Sequence, residues 1–303
     1  MPASRPQTET TVPDEETFAA LLSRRSVRRY ENRVAPEETR RSVVEFAMRV
    51  EPLVPENEFS YSVLPIVGKS EELATVMGGY GKLVSARHLV LPRIRGNSHI
   101  LADFGFRVEQ LVIHLTRLGL GSCWIAALGH EGEVLDRFKS PKNERIPAVV
   151  VFGYPSESKG GIGFNRSIRV ALSAHRPPPY EKWVFAGRFD NPASLTPFQE
   201  KSLDALRRAP SAGNSRPWRV VLKDGEAHLT LKLDTPYYRL SKGVRLGYHL
   251  LDGGIGMSNL SMALSALGKP ASWTMLDNEE VLRAELGLPD NYELLARITL
   301  PEA

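Results

Sequence analysis

Three stretches of the 303-residue sequence carry side chains that could do chemistry. The first is Ser23-Arg24-Arg25-Ser26-Val27-Arg28-Arg29-Tyr30. In it Arg24, Ser26 and Arg28 alternate, so an extended backbone turns all three to one side, with Arg25 opposite. Two guanidinium forks flanking a hydroxyl make a clamp for an anion. A solvated basic turn is the other reading of the same residues. The second stretch, residues 209–218, reads APSAGNSRPW. It is dense in turn formers and small residues, which lets backbone N–H groups and the Asn214 amide come close to a flat ligand. It could equally be a plain helix-to-strand turn. The third is a basic point, His175-Arg176-Pro177.

Other chemistries find no support. There is no Ser-His-Asp or Cys-His arrangement. Cys123 is the one cysteine, which excludes an internal disulfide and a cysteine-based zinc site, fits a reducing cytoplasm, and reads as a small packed residue. His114 and His249 are lone histidines on helices and do not make a metal site. Gly160-Gly161-x-Gly163 lacks the glycine spacing and the preceding strand of a dinucleotide fingerprint. Net charge is +4, and no long basic tract points to nucleic acid. No apolar run approaches the roughly 20 residues of a membrane span. Residues 1–13 have no apolar core of a secretory signal and read as a flexible tail.

The elements that must hold these stretches are legible from spacing. Residues 14–22 form a short amphipathic helix leading into the arginine stretch, and Pro36-Glu37-Glu38 opens another helix. Strands are expected at 59–67, 88–91, 148–152, 219–222, 229–233 and 294–300, with a short helix at 71–76. Residues 156–194, with three consecutive prolines and little periodicity, read as a long connector. Thr196-Pro197 caps a helix through 206. One helix is apolar on most sides: in it Leu101, Phe104, Val108, Leu111, Leu115 and Leu118 recur in steps of three and four. Gly119-Leu120-Gly121 stops it.

That helix comes back. Residues 103–124 (DFGFRVEQLVIHLTRLGLGSCW) align without a gap on 252–273 (DGGIGMSNLSMALSALGKPASW). Asp103 falls on Asp252, Gly105 on Gly254, Gly119 on Gly268 and Trp124 on Trp273. With small shifts, Pro141-x-Asn143 resembles Pro289-x-Asn291, and Ala148-x-Val150 resembles Ala296-x-Ile298. A period near half the chain is a duplicated domain, able to reproduce a homodimer within one chain. The expected division is a first half at 14–155, the connector at 156–194 and a second half at 195–303.

Taken together, SRRSVRRY, FGFRVEQLVIHLTRLGLGSCWIA, VVVFGYP, AHRPPPY and APSAGNSRPW, in this order, resemble the FMN-dependent nitroreductase superfamily. More narrowly, the chain is similar to its tandem, single-chain "putative TM nitroreductase" group. The resemblance implies an α+β fold of mostly antiparallel sheets wrapped by helices, here an intramolecular pseudo-dimer for which a monomer suffices. It implies FMN as cofactor and NAD(P)H as reductant. The reaction implied is ping-pong hydride transfer through flavin N5 to a small flat acceptor, a nitroaromatic or a quinone. No catalytic side chain is implied.

By resemblance, Arg24, Arg25, Ser26 and Arg28 run along the flavin, Arg176 closes on its phosphate, and Pro210, Ser211, Ala212 and Asn214 reach over from the other half. Ala126 and Ala127 match positions whose backbone faces N5. The family often has Glu-Gly there, and Arg216 stands where Gln is usual. The arginine clamp occurs in the first half alone and the Pro-Ser-x-x-Asn turn in the second alone, so one composite site per chain is expected. Two other functions stay open: an FMN-binding or sequestering protein with little turnover, and a specialised flavin dehydrogenase or dehalogenase.

Overall fold

The computed structural model describes residues 14–66, 84–127, 130–172, 176–234, 247–277 and 279–302. The helix expected at 71–76 lies outside them. In chain order the elements are α1 (Glu15–Ser23), α2 (Glu37–Ala47), β1 (Glu58–Pro65), β2 (His88–Arg95), α3 (Ile100–Arg117), β3 (Gly121–Ala126), α4 (Glu131–Arg137) and β4 (Ala148–Gly153). Then follow α5 (Lys159–Ala171), β5 (Val184–Ala186), α6 (Pro197–Arg208), β6 (Trp218–Lys223), β7 (Glu226–Lys232), α7 (Tyr248–Ala266), β8 (Thr274–Met275), α8 (Glu280–Glu285) and β9 (Tyr292–Thr299).

The strands make two sheets, ordered β1-β2-β4-β3 and β5-β6-β7-β9-β8. All pairings are antiparallel except β5 on β6. β2 continues past Pro92 because β4 pairs with it only over residues 88–90, which leaves the proline no ladder partner to deprive on that side. The mixed helices and antiparallel sheets are those of the α+β architecture.

Helices α3 and α7 lie together at the centre, and their cluster of buried side chains takes in residues from both sheets. Their contact is a pseudo-twofold. A Cβ on Gly105 would collide with the Leu251 carbonyl, and one on Gly254 with the Ala102 carbonyl. Because Gly105 matches Gly254 and Ala102 matches Leu251 in the repeat, each contact is the image of the other, as in an isologous interface. Only glycine lets two helix backbones approach this closely.

The duplication extends to the helix ends. Gly119 (φ 72°) and Gly268 (φ 76°) are left-handed. In α3 the N–H groups of Gly119 and Leu120 return to the carbonyls of Thr116 and Leu115. In α7 those of Gly268 and Lys269 return to Ser265 and Leu264. This is one Schellman closure written twice.

The stretch 156–194 contains a helix, α5, that the sequence did not announce. Ser158 caps this helix by accepting from Gly161 N at 3.0 Å. Two features hid it: glycines fill its first turns, and Ile162 and Val170 face solvent instead of marking a buried stripe. Farther on, β5 joins the edge of the second sheet with Val184 opposite Val220. No described helix is long and apolar enough to cross a membrane.

Candidate functional site

Helix α1 ends at Arg24, where ψ of 132° turns the chain into an extended run. That run lies beside β3: Ser26 bridges Ser122 in parallel, and Val27 N donates to Ser122 O at 2.8 Å. Its alternation has the expected sense, with Arg28 buried at 6 % exposure and Arg25 exposed. The Arg24 Nε is buried and has no hydrogen-bond partner.

Beneath Arg24 sits Glu109 of α3, fully buried. It accepts from Trp124 Nε1 at 2.8 Å and from Asn259 Nδ2 of α7 at 3.1 Å, so it bridges the two central helices. Burial pushes its pKa up to about 7, against the opposing pull of Arg24 and the two hydrogen bonds. Burial likewise lowers the pKa of Arg24, with Glu109 acting the other way. Ser258 Oγ and Asn259 Oδ1 nearby are buried without partners.

The second-half turn follows α6, whose start is closed by a Thr196–Gln199 capping box. Asp252 of α7 anchors it, its Oδ2 accepting from Ala212 N at 2.9 Å. Ser211 ties the loop to itself: its carbonyl accepts from Asn214 N and its Oγ from Arg216 N, both at 2.9 Å. Gly213 (φ 55°), Asn214 (φ 60°) and Arg216 (φ 44°) are all left-handed. Asparagine tolerates this conformation, whereas for arginine it is strain of roughly 1–2 kcal/mol. Arg216 Nε is buried without a partner, and burial lowers its pKa.

Helix α5 joins these two places. Asn165 Oδ1 accepts from the N–H groups of Arg28 (2.9 Å) and Arg29 (3.1 Å), while its Nδ2 donates to Arg29 O (3.2 Å). Seven residues on, about 10 Å along a helix, Leu172 O accepts from Asn214 Nδ2 at 2.8 Å. Past it, Arg176 O accepts from Arg216 Nη1 at 3.5 Å, and the Arg176 side chain is exposed. The first-half clamp and the second-half turn therefore flank one helix.

Ala126 and Ala127 stand apart from this convergence. Ala126 ends β3, four residues beyond Ser122 and so about 13 Å along the strand. The Ala127 N–H donates to Pro147 O at 2.7 Å, so it is already engaged. Pro210 is buried at the base of the turn.

Among the described residues no cluster of three His, Cys, Asp or Glu could hold a metal. His114 stacks on Phe46 at 4.0 Å, and burial with nearby Arg117 and Arg49 brings its pKa down to about 4. His249 meets Glu293 at 2.8 Å. Cys123 is buried.

The donor set consists of guanidiniums, hydroxyls and amides, with two buried guanidinium nitrogens lacking acceptors. It fits an oxygen-rich anion such as a phosphate ester. Sequence reasoning passed over Glu109, Asn165 and the anchoring role of Asp252. A glutamate within a helix apolar on most sides, and the repeated Asp103/Asp252 pair, were the available signals.

The fold is that of a duplicated α+β protein, and the first-half arginine run and the second-half turn both meet one helix, α5. The family model described as "Putative TM nitroreductase" matches residues 16–264, and the chain belongs to that family. It is thus an oxidoreductase of the nitroreductase type. Among solved structures, one described as a putative nitroreductase from Thermotoga maritima MSB8 is 17% identical, with 99% of each chain covered and a TM-score of 0.55, a likeness of fold. An FMN-dependent nitroreductase from Clostridium difficile R20291 matches over 46% of this chain and 88% of its own, at 19% identity and a TM-score of 0.40. An NADPH:FMN oxidoreductase from Vibrio harveyi matches over 47% and 70%, at 18% identity and a TM-score of 0.42. Among curated proteins, none matches the sequence.

Proposed function

We propose that the chain is an FMN-dependent NAD(P)H oxidoreductase reducing a flat acceptor, a nitroaromatic or a quinone, at one composite site per chain. The observation that carries this reading is the convergence on α5 of the Arg24–Arg28 clamp and the Ser211–Arg216 turn, with Arg24 Nε and Arg216 Nε lacking acceptors. A bound flavin would supply the two-electron chemistry between nicotinamide and acceptor.

The chain's own residues bind and orient. Arg24, Ser26 and Arg28 hold the flavin from its phosphate towards the ring, with Arg25 beside them, and Arg176 adds charge at the phosphate. Pro210, Ser211, Ala212 and Asn214 cover the ring from the second half. Arg28, buried and fixed, offers a cation to whichever edge of the ring gains negative charge on reduction. Ala127 takes no part as a donor to the ring in this reading, since its N–H is bonded to Pro147. The division into halves at 14–155 and 195–303 goes with the same proposal, the connector supplying α5 as the lid.

A second reading has its own support. The Asn214 amide already donates to Leu172 O, so α5 lies across the turn as a cover would, which suits a protein that holds FMN with little turnover.

The test is flavin stoichiometry after incubation with FMN and desalting, followed by anaerobic addition of NADH or NADPH and then a quinone. One flavin per chain that bleaches and recovers is the expected result. One flavin that does not turn over selects the second reading. Two flavins per chain, or none, overturns the composite site.

A further inference from the structure

The clamp does not use up the positive charge of this cleft. On α5, Asn165 and Arg169 stand at i and i+4 and so share one face. Asn165 ties that face to the first-half clamp, and the backbone carbonyl of Leu172, which caps the helix, ties its end to the second-half turn. Arg169 lies between these two ties along the helix and is partly buried. Arg166 precedes it by one turn, and Arg25 approaches from the extended run. Partial burial lowers the Arg169 pKa, and Arg25 and Arg166 are near enough to lower it further. The guanidiniums of Arg25, Arg166 and Arg169 have no hydrogen-bond or ion-pair partner among the described residues, and α5 carries no acidic residue at all. Three like charges gathered without a counter-charge repel one another. The arrangement is stabilised when an anion sits among them.

We propose that Arg166 and Arg169, with Arg25 shared between them and the flavin clamp, form a second phosphate-binding site that takes the 2′-phosphate of NADPH and sets a preference for NADPH over NADH. This rests on the reductase reading. Charge counting separates it from the flavin site. A phosphate monoester carries about −2 at neutral pH. Arg24 and Arg176, which that reading places at the flavin phosphate, already match it. The other reactant comes in two forms that differ by one phosphate, and a cluster of guanidiniums without counter-charge discriminates in favour of the form that carries it.

The experiment is calorimetric titration of the FMN-loaded chain with adenosine 2′,5′-bisphosphate and with AMP, for the wild type and the Arg166→Gln/Arg169→Gln double variant. The wild type is expected to bind the bisphosphate about tenfold or more tightly than AMP, with the advantage shrinking as salt rises. The double variant loses that advantage at unchanged flavin content and thermal midpoint, and its NADPH/NADH ratio of kcat/KM falls about tenfold. The Arg166→Lys/Arg169→Lys variant keeps part of the advantage. Equal binding of the two nucleotides by the wild type overturns the proposal. So does loss of FMN from the double variant with no change in nucleotide preference, which would give the cluster to the flavin phosphate. A chain that retains no flavin sinks the reductase reading alone, because the same titrations on the flavin-free chain still decide whether the phosphate site exists.

Discussion

The two halves solve one local problem in opposite ways. In each, an aspartate at the matching place on the central helix holds a helix-to-strand turn, α2 to β1 in the first half and α6 to β6 in the second. In the first half Asp103 accepts from Leu53 N (2.8 Å), Val54 N (3.2 Å) and Asn57 Nδ2 (3.1 Å), and pairs with Arg107 Nε at 3.0 Å. Arg107 also donates to Val54 O and Asn57 O, and lies over the Phe59 ring at 5.4 Å. The turn is stitched shut. In the second half Asp252 holds Ala212 N, but the place of Arg107 is taken by Gly256, and Trp218 stands where Phe59 does. A Cβ on Gly256 would come within 2.8 Å of Leu206 Cδ1 and 3.4 Å of Trp218 Cε3. No long side chain reaches up from Gly256 to occupy the loop. The same scaffold yields a sealed turn or a presented one, and the choice follows from what stands four residues after the aspartate.

Arg107→Ala would break this contrast most severely. It leaves Asp103 buried and unpaired, and a loss of about 3–5 kcal/mol in denaturant unfolding is expected. Flavin per chain should nevertheless stay the same once the protein is folded. Asp252→Ala is the counterpart: removing one acceptor costs about 1–3 kcal/mol, but flavin retention falls. Retained flavin in the second variant and lost flavin in the first would invert the assignment of the two halves.

Gly254→Ala should cost about 1–3 kcal/mol by forcing α3 and α7 apart. Gly105→Ala should cost a similar amount, since the contacts are images of each other. Strongly unequal thermal shifts would mean the pseudo-twofold is not shared in energy.

Glu109 has no acidic image in the second half, where Ser258 takes its place. Its folded pKa of about 7 lies above the ordinary value of 4.5, so the folded chain binds the proton more tightly than the unfolded one. The neutral form's advantage is complete below about 4.5 and is lost as pH rises through about 7. Unfolding free energy should therefore slope downward with pH across that window, and Glu109→Gln should flatten the slope. A slope unchanged in the variant would assign it to another group.

The smallest effect is expected from a control on the arginines. Arg41 is exposed and pairs with Glu37 at 3.6 Å, so Arg41→Ala should move stability by no more than about 0.5 kcal/mol and leave flavin retention alone. Arg28→Ala, at a buried position, should lower retention. Equal behaviour would remove the clamp from the extended run.

Much of this was readable in the sequence. Helical spacing exposed α3 and α7, and the match of Gly105 with Gly254 made the duplication visible, because glycine at a helix crossing is dictated by backbone contact. The alternation of Arg24, Ser26 and Arg28 gave the sense of the extended run. Helix α5 was not readable, since its glycines and exposed Ile162 erase the usual pattern. Nor was the assembly of the cleft, because Asn165 reaches back 137 residues to Arg28 and 42 residues separate Asn214 from Leu172. Ala127 illustrates the limit from the other side. A position matched by resemblance has its N–H already bonded to Pro147, a contact that no spacing rule announces.

The crossing of α3 over α7 has a consequence for dilution. Where two separate subunits must meet to build a cleft, the fraction assembled follows mass action and falls as the protein is diluted. Here the meeting partners are covalently joined, and the local concentration of one half around the other is fixed by the connecting segment. The site proposed above should therefore keep its occupancy on dilution, where a site built between two subunits would lose it.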